Sequence, residues 1–221
     1  MSGLVVFDGD GVLYDTEPVI SRVQAEIVSA LGYPITQAET HAYVGKTGAE
    51  FYRAMGERFG TKLPDDMNAR FVKRYGEILA DGLEPIAGVR DLIGRLKVPF
   101  CLATNSTRAR LVVTLAASGL AEIFAGRAFC LDDVARGKPA PDLFLHAAET
   151  MGAAPADCLV IDDNVAGITG GIAAGMRAIG FVGASHNSAG QAERLLAAGA
   201  ETVCPDMAAF AQLLARSAWL T

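Results

Sequence analysis

The chain has 221 residues, 51% of them hydrophobic, and a formal net charge of −6. Its length suits one large domain or a core with a small second one, and its positive mean hydropathy allows a substantial core. The acidic balance argues against a nucleic acid or an anionic membrane as main partner, while a locally positive pocket for a small anion remains open. No apolar run approaches a membrane span, and Leu4–Phe7 is too short and lacks the basic flank of a secretion signal. A cytoplasmic protein is expected. The cysteines Cys101, Cys130, Cys158 and Cys204 are scattered without a Cys-x-x-Cys pair, so buried reduced thiols are expected rather than a zinc site.

Leu4 to Phe7 is a short, wholly apolar run that predicts a strand covered on both faces. Asp8 and Asp10 follow, and Gly9 and Gly11 around Asp10 end the strand in a tight turn. Paired carboxylates at that edge lie where open α/β sheets place ligands, and a bound cation would relieve their repulsion. Apolar spacing then predicts helices over Glu17–Leu31, Pro34–Tyr43, Thr47–Phe59 and Pro64–Leu79. With no strand among them, residues 17–83 are expected to form an inserted four-helix cap domain, and 1–16 with 84–221 an α/β core. After Pro85 the pattern alternates. Strands are predicted at Pro99–Ala103, Arg127–Leu131, Cys158–Ile161, Arg177–Val182 and Thr202–Val203. Helices are predicted at Val89–Leu96, Arg108–Ser118, Asp142–Met151, Val165–Ala174, Gln191–Ala198 and Met207–Arg216. Such alternation implies a Rossmann-like parallel sheet flanked by helices.

Three later stretches carry chemistry. Thr104-Asn105-Ser106 ends a strand just before a helix, where hydroxyls and free backbone N–H groups suit an anion, although an ordinary helix cap reads the same way. In Gly137-Lys138-Pro139-Ala140-Pro141 two prolines stiffen the loop and hold Lys138 in place. Val160-Ile161-Asp162-Asp163-Asn164 is a second strand ending in acids, in phase with Asp8 and Asp10. Hard oxygen ligands of this kind suit Mg²⁺.

The run Asp8-Gly9-Asp10-Gly11-Val12-Leu13-Tyr14-Asp15-Thr16, followed in order by these three motifs, resembles the haloacid dehalogenase-like hydrolase superfamily. The match is to its sugar-phosphatase and β-phosphoglucomutase-like branch with a helical cap. The resemblance covers essentially the whole chain. It implies that Asp8 is the nucleophile and Asp10 the general acid/base. Thr104, Asn105 and Lys138 would bind the phosphoryl group, with Lys138 also catalytic. Mg²⁺ would sit on Asp8, the Asp10 carbonyl, Asp163 and, through water, Asp162. It further implies that the loop Val44-Gly45-Lys46-Thr47-Gly48-Ala49-Glu50 brings Lys46 to the far end of the substrate, where relatives use an arginine. The partner implied is a small phosphorylated metabolite, a sugar or sugar-acid phosphate, and a monomer is expected.

Dehalogenases and phosphonate-cleaving relatives lack the second aspartate, so Asp10 argues against both. Mutases of the branch carry a histidine shortly after the Asp-Thr pair, where this chain reads Glu17-Pro18-Val19-Ile20. A non-enzymatic phosphometabolite-binding protein is the reading from another class. Two positions depart from the pattern: Gly9 replaces a bulkier residue, and Asn164 stands where serine is common.

Overall fold

The computed structural model describes residues 3–43, 46–187, 189–217 and 219–220. Its strands are β1 (Leu4–Phe7), β2 (Phe100–Thr104), β3 (Ala128–Cys130), β4 (Cys158–Asp162), β5 (Arg177–Phe181) and β6 (Val203–Cys204). They form one sheet in the order β3-β2-β1-β4-β5-β6, every neighbouring pair parallel. Phe7 pairs with Leu102 on one side and Ile161 on the other, so β1 is central. This is the doubly wound α/β architecture expected from the alternating pattern.

Between β1 and β2 lie α1 (Glu17–Ser29), α2 (Gln37–Thr40), α3 (Gly48–Phe59) and α4 (Met67–Ile78), with no strand among the described residues. The remaining helices are α5 (Val89–Arg95), α6 (Arg108–Ala117), α7 (Asp142–Thr150), α8 (Val165–Ala173), α9 (Gln191–Ala197) and α10 (Met207–Arg216). The short helix expected within Pro34–Tyr43 begins at Gln37, just after Thr36. It reduces to the single turn α2 and a 3-10 turn at His41–Tyr43.

The period of two in β1 divides the core. Val5 and Phe7 pack with Leu102 and Ile161 beneath α5, α6 and α10, whereas Leu4 and Val6 pack with Cys101 and Val160 beneath α7, α8 and α9. The α1–α4 layer has its own apolar contacts, with Val28, Phe51, Met55 and Met67 in one cluster and Val23, Phe71 and Tyr75 in another. It rests on the sheet layer through α4 and α6, where the Tyr75 and Thr114 hydroxyls lie 3.1 Å apart. All four cysteines are free and buried, on β2, β3, β4 and β6. Among the described residues, no helix is long and apolar enough to cross a membrane.

Phe210 is fully buried and meets the Phe7 ring edge-on at 6.2 Å. Phe210→Ala should remove about 3–5 kcal/mol of stability in urea denaturation. Val112→Ala, on the exposed side of α6, should shift it by no more than about 0.5 kcal/mol.

Candidate active site

Asp8 follows β1 and Asp162 ends β4. These strands are adjacent, and the winding of the sheet reverses between them, so both carboxylates reach the C-terminal edge at the switch point. Lys138 Nζ lies between them, donating to Asp8 Oδ1 at 2.6 Å and Asp162 Oδ2 at 2.7 Å. Its side chain is only 4% exposed. Burial works against the ammonium, but Asp162 and Asp8 outweigh it and hold the Lys138 pKa above its ordinary value. The Lys138 loop is pinned by Asn105, whose Oδ1 accepts from the Lys138 N–H at 2.8 Å and whose Nδ2 donates to the Lys138 carbonyl at 3.0 Å.

Asp8, Asp162 and Asp163 are buried and each offers an oxygen within 4.8 Å of the others. Burial pushes Asp8 up to about 7 against the pull of Lys138, and Asp163 up to about 6 against a hydrogen bond from His186. Asp162 is raised by burial as well. The three buried carboxylates outnumber the two cations that face them, Lys138 and His186, and an all-oxygen donor set fits a hard divalent cation. Gly11, at φ 85°, makes room for this cluster: a side chain there would overlap the Asp163 carboxylate.

The loop after β5 closes the Asp163 side of the carboxylate cluster. His186 Nε2 meets Asp163 Oδ2 at 2.9 Å, Gln191 Nε2 donates to the Asp163 carbonyl at 2.6 Å, and the Ser185 N–H donates to Asp15 Oδ2 at 2.9 Å. Burial works against the His186 imidazolium, but Asp163, Glu17 and Asp15 overcome it and lift its pKa to about 9.

Asp10 faces another group of residues. Its Oδ1 accepts a short hydrogen bond from Thr16 Oγ1. Its Oδ2 accepts from Ser106 Oγ at 2.9 Å and from Arg110 Nη2 at 2.5 Å. Arg110 also donates to Ser106, from Nε at 2.9 Å and from Nη2.

A cavity of about 860 Å³ opens over these groups, and both the sheet edge and the helical layer line it. Asp8, Asp10, Asp162, Asp163, Lys138, Thr104 and Asn105 all face it. The Asp10 carboxylate stands apart from the three-carboxylate cluster. Thr104 is buried and its Oγ1 accepts from the Ser106 N–H at 3.1 Å. Lys46 lines the cavity and its ammonium sits 5.2 Å from the centre of the Tyr43 ring. Val44 and Gly45 of its loop lie outside the described residues.

The two departures have local explanations. A Cβ at Gly9 would stand 2.5 Å from the Tyr14 hydroxyl, so the missing side chain is matched by a buried tyrosine. Asn164 caps α8, its Oδ1 accepting from the Ala166 N–H at 3.1 Å, as serine also does at helix starts.

Sequence reading missed Arg110, His186 and Glu17. Arg110 carried a signal. It sits with Arg108 in the first turn of α6, where the helix dipole disfavours cations. Each arginine has an acid elsewhere: Arg108 pairs with Asp133 and Arg110 with Asp10. Glu17 opens α1 and lines the cavity, where burial and then Asp10 raise its pKa to about 7.

These shifts set a pH dependence. Asp8, Asp163 and Glu17 titrate higher folded than unfolded, so the native state binds more protons and stability falls as pH rises from about 4 to about 7. His186 adds stability that is complete below 6.5 and lost as pH rises through about 9. A divalent cation favours the ionised carboxylates, so it should stabilise far more at pH 8 than at pH 5. Saturation at a hundredfold excess over Kd corresponds to about 2.7 kcal/mol, or roughly 5–10 °C in Tm. Thermal scans with MgCl₂ at both pH values measure the difference.

Comparison with known proteins agrees with this geometry. The family model for haloacid dehalogenase-like hydrolases matches residues 3–175. The bifunctional riboflavin kinase/FMN phosphatase of Arabidopsis thaliana is 34% identical over 81% of this chain, which spans about half (48%) of that enzyme's length. The 6-phosphogluconate phosphatase of Escherichia coli K12 is 27% identical, covering 83% of this chain and 84% of its own. A haloacid dehalogenase-like protein of unknown function from Agrobacterium tumefaciens superposes with a TM-score of 0.81 at 35% identity, over 99% of this chain and all of its own. A Deinococcus radiodurans hydrolase solved with phosphate and sodium gives 0.78 at 30%, over 100% of this chain and 98% of its own. The strand-end acids, the buried lysine and the matched length lead to one conclusion: the chain belongs to the haloacid dehalogenase-like hydrolase family.

Proposed function

We propose that the chain is a Mg²⁺-dependent phosphatase that hydrolyses a small phosphorylated sugar or sugar acid through an aspartyl phosphate on Asp8. The observation that carries this reading is the asymmetry of Asp8: Lys138 holds Oδ1, while no described residue donates to Oδ2 and the side chain faces the cavity. An oriented carboxylate with one oxygen open is a nucleophile in waiting. The E. coli relatives named 6-phosphogluconate phosphatase and fructose-1-phosphate phosphatase support the substrate class.

In this mechanism Asp8 Oδ2 bonds to phosphorus as the bond from phosphorus to the leaving oxygen breaks. Asp10 delivers a proton to that oxygen, then takes one from the water that cleaves the aspartyl phosphate. Lys138, the Thr104 hydroxyl and Asn105 bind the phosphoryl oxygens, together with backbone N–H groups ahead of α6. Mg²⁺, held by Asp8, the Asp10 carbonyl, Asp163 and, through water, Asp162, would offset the repulsion between carboxylate and phosphate. Residues 17–83 act as a cap that shields the cavity from water, and Lys46 contacts the far end of the substrate.

Asp8→Asn should lower phosphate release from p-nitrophenyl phosphate and sugar phosphates by on the order of a thousandfold or more, since an amide is a poor nucleophile. Asp10→Asn should still form some phosphoenzyme but stall at its hydrolysis. Activity should vanish in chelator, return with Mg²⁺, and fall with Ca²⁺, whose higher coordination number suits a bidentate Asp8 with no oxygen left to attack. Near-normal turnover by Asp8→Asn, or full activity in chelator, would overturn the mechanism. Lys46→Ala should reduce kcat/KM for the natural substrate by about 1–3 kcal/mol and barely alter p-nitrophenyl phosphate hydrolysis. Equal losses on both would remove Lys46 from substrate selection.

A further inference from the structure

We propose that Arg110 binds the leaving group: the open edge of its guanidinium takes an acceptor oxygen borne by the carbon next to the phosphoester carbon. The proposal rests on the phosphatase reading above and names a recognition element within that substrate class.

Three observations support it. The first is position. Arg110 is the third residue of α6, where the helix itself disfavours a cation, so its presence answers to something outside the helix. The second is the distribution of its donors. A guanidinium offers five N–H groups in one plane. Nε and Nη2 point to Ser106 and Asp10, whereas Nη1 donates to no described residue, and Arg110 lines the cavity. The third is its neighbour. Arg110 is bonded to Asp10 Oδ2, and Asp10 is the group assigned to protonate the leaving oxygen. With Ser106 and Thr16 also holding that carboxylate, the guanidinium is fixed beside the group assigned as proton donor.

Neutralising Asp10 would need only one N–H. A guanidinium with Nε and Nη2 engaged and Nη1 unengaged, on a residue that lines the cavity, is suited to two acceptors at once, here the Asp10 carboxylate and an oxygen of the substrate. A hydroxyl or a carboxylate fits. The carboxylate forms the stronger, charge-assisted bond.

The test compares three monoesters, each with the Mg²⁺-loaded protein. Ethyl phosphate has no second oxygen, 2-hydroxyethyl phosphate has a neighbouring hydroxyl, and phosphoglycolate has a neighbouring carboxylate. The native protein should favour the latter two over ethyl phosphate by about tenfold or more in kcat/KM, with phosphoglycolate ahead. Arg110→Met should slow all three, because Asp10 loses a partner, and should also bring their kcat/KM values to within about threefold of one another. A preference that survives in Arg110→Met would mean that the arginine only positions Asp10, and the proposal would fall. Absence of any preference in the native protein overturns it without a variant, whether or not Arg110→Met folds. Failure of the native protein to hydrolyse any monoester, p-nitrophenyl phosphate included, would instead overturn the phosphatase reading and this proposal with it.

Discussion

The site depends on one buried ammonium. Lys138 joins two carboxylates that are 130 and 24 positions away in sequence, and all three groups are withdrawn from water. An isolated charge at that depth is costly, and paired charges survive only when geometry and hydrogen bonding are both good. The geometry has several sources. Parallel pairing of β1 with β4 sets the spacing of Asp8 and Asp162, and Asn105 grips the backbone of Lys138 from the end of β2. Asp162 has both oxygens engaged, one by Lys138 and one by the Asn164 N–H at 2.9 Å. Asp8 has one. Two chemically equal aspartates on the same lysine are thereby made unequal.

The second half of the site is built differently. Asp10 is held by Thr16, Ser106 and Arg110, none of which ends a strand. Thr16 is the residue immediately before α1, so the entry to the helical layer lies one hydrogen bond from Asp10. Tyr75 of α4 meets Thr114 of α6, on the same helix as Arg110. The layer over the cavity and the groups around Asp10 therefore share their supports.

This division explains how much the sequence disclosed. Acids and hydroxyls at strand ends were legible because a parallel sheet gathers its C-terminal ends on one edge: Asp8, Thr104, Asp162 and Asp163 could be placed together from order alone. The elements were legible too, since both core faces follow simple periodicity. The link between Arg110 and Asp10 spans 100 positions and runs from a helix side chain to a turn, so the first-turn position marks the arginine as out of place without naming its partner. His186 lies in a loop whose course depends on Ser185 and Gln191 finding partners elsewhere. Asn105 shows the converse. Its place in the motif was evident, but not that its side chain holds the Lys138 backbone at both donor and acceptor.

The cysteines have a practical consequence. Each lies on a different strand, from the β3 edge through β2 and β4 to β6, and none is accessible. Burial also raises the pKa of Cys158 and Cys204 to about 11, and that of Cys101 further still, so little thiolate exists at neutral pH even where reagent could enter. A thiol-specific reagent is therefore blind to the native chain and reacts only when strands separate. The unmodified protein carries its own reporters of sheet opening, distributed from one end of the sheet to the other.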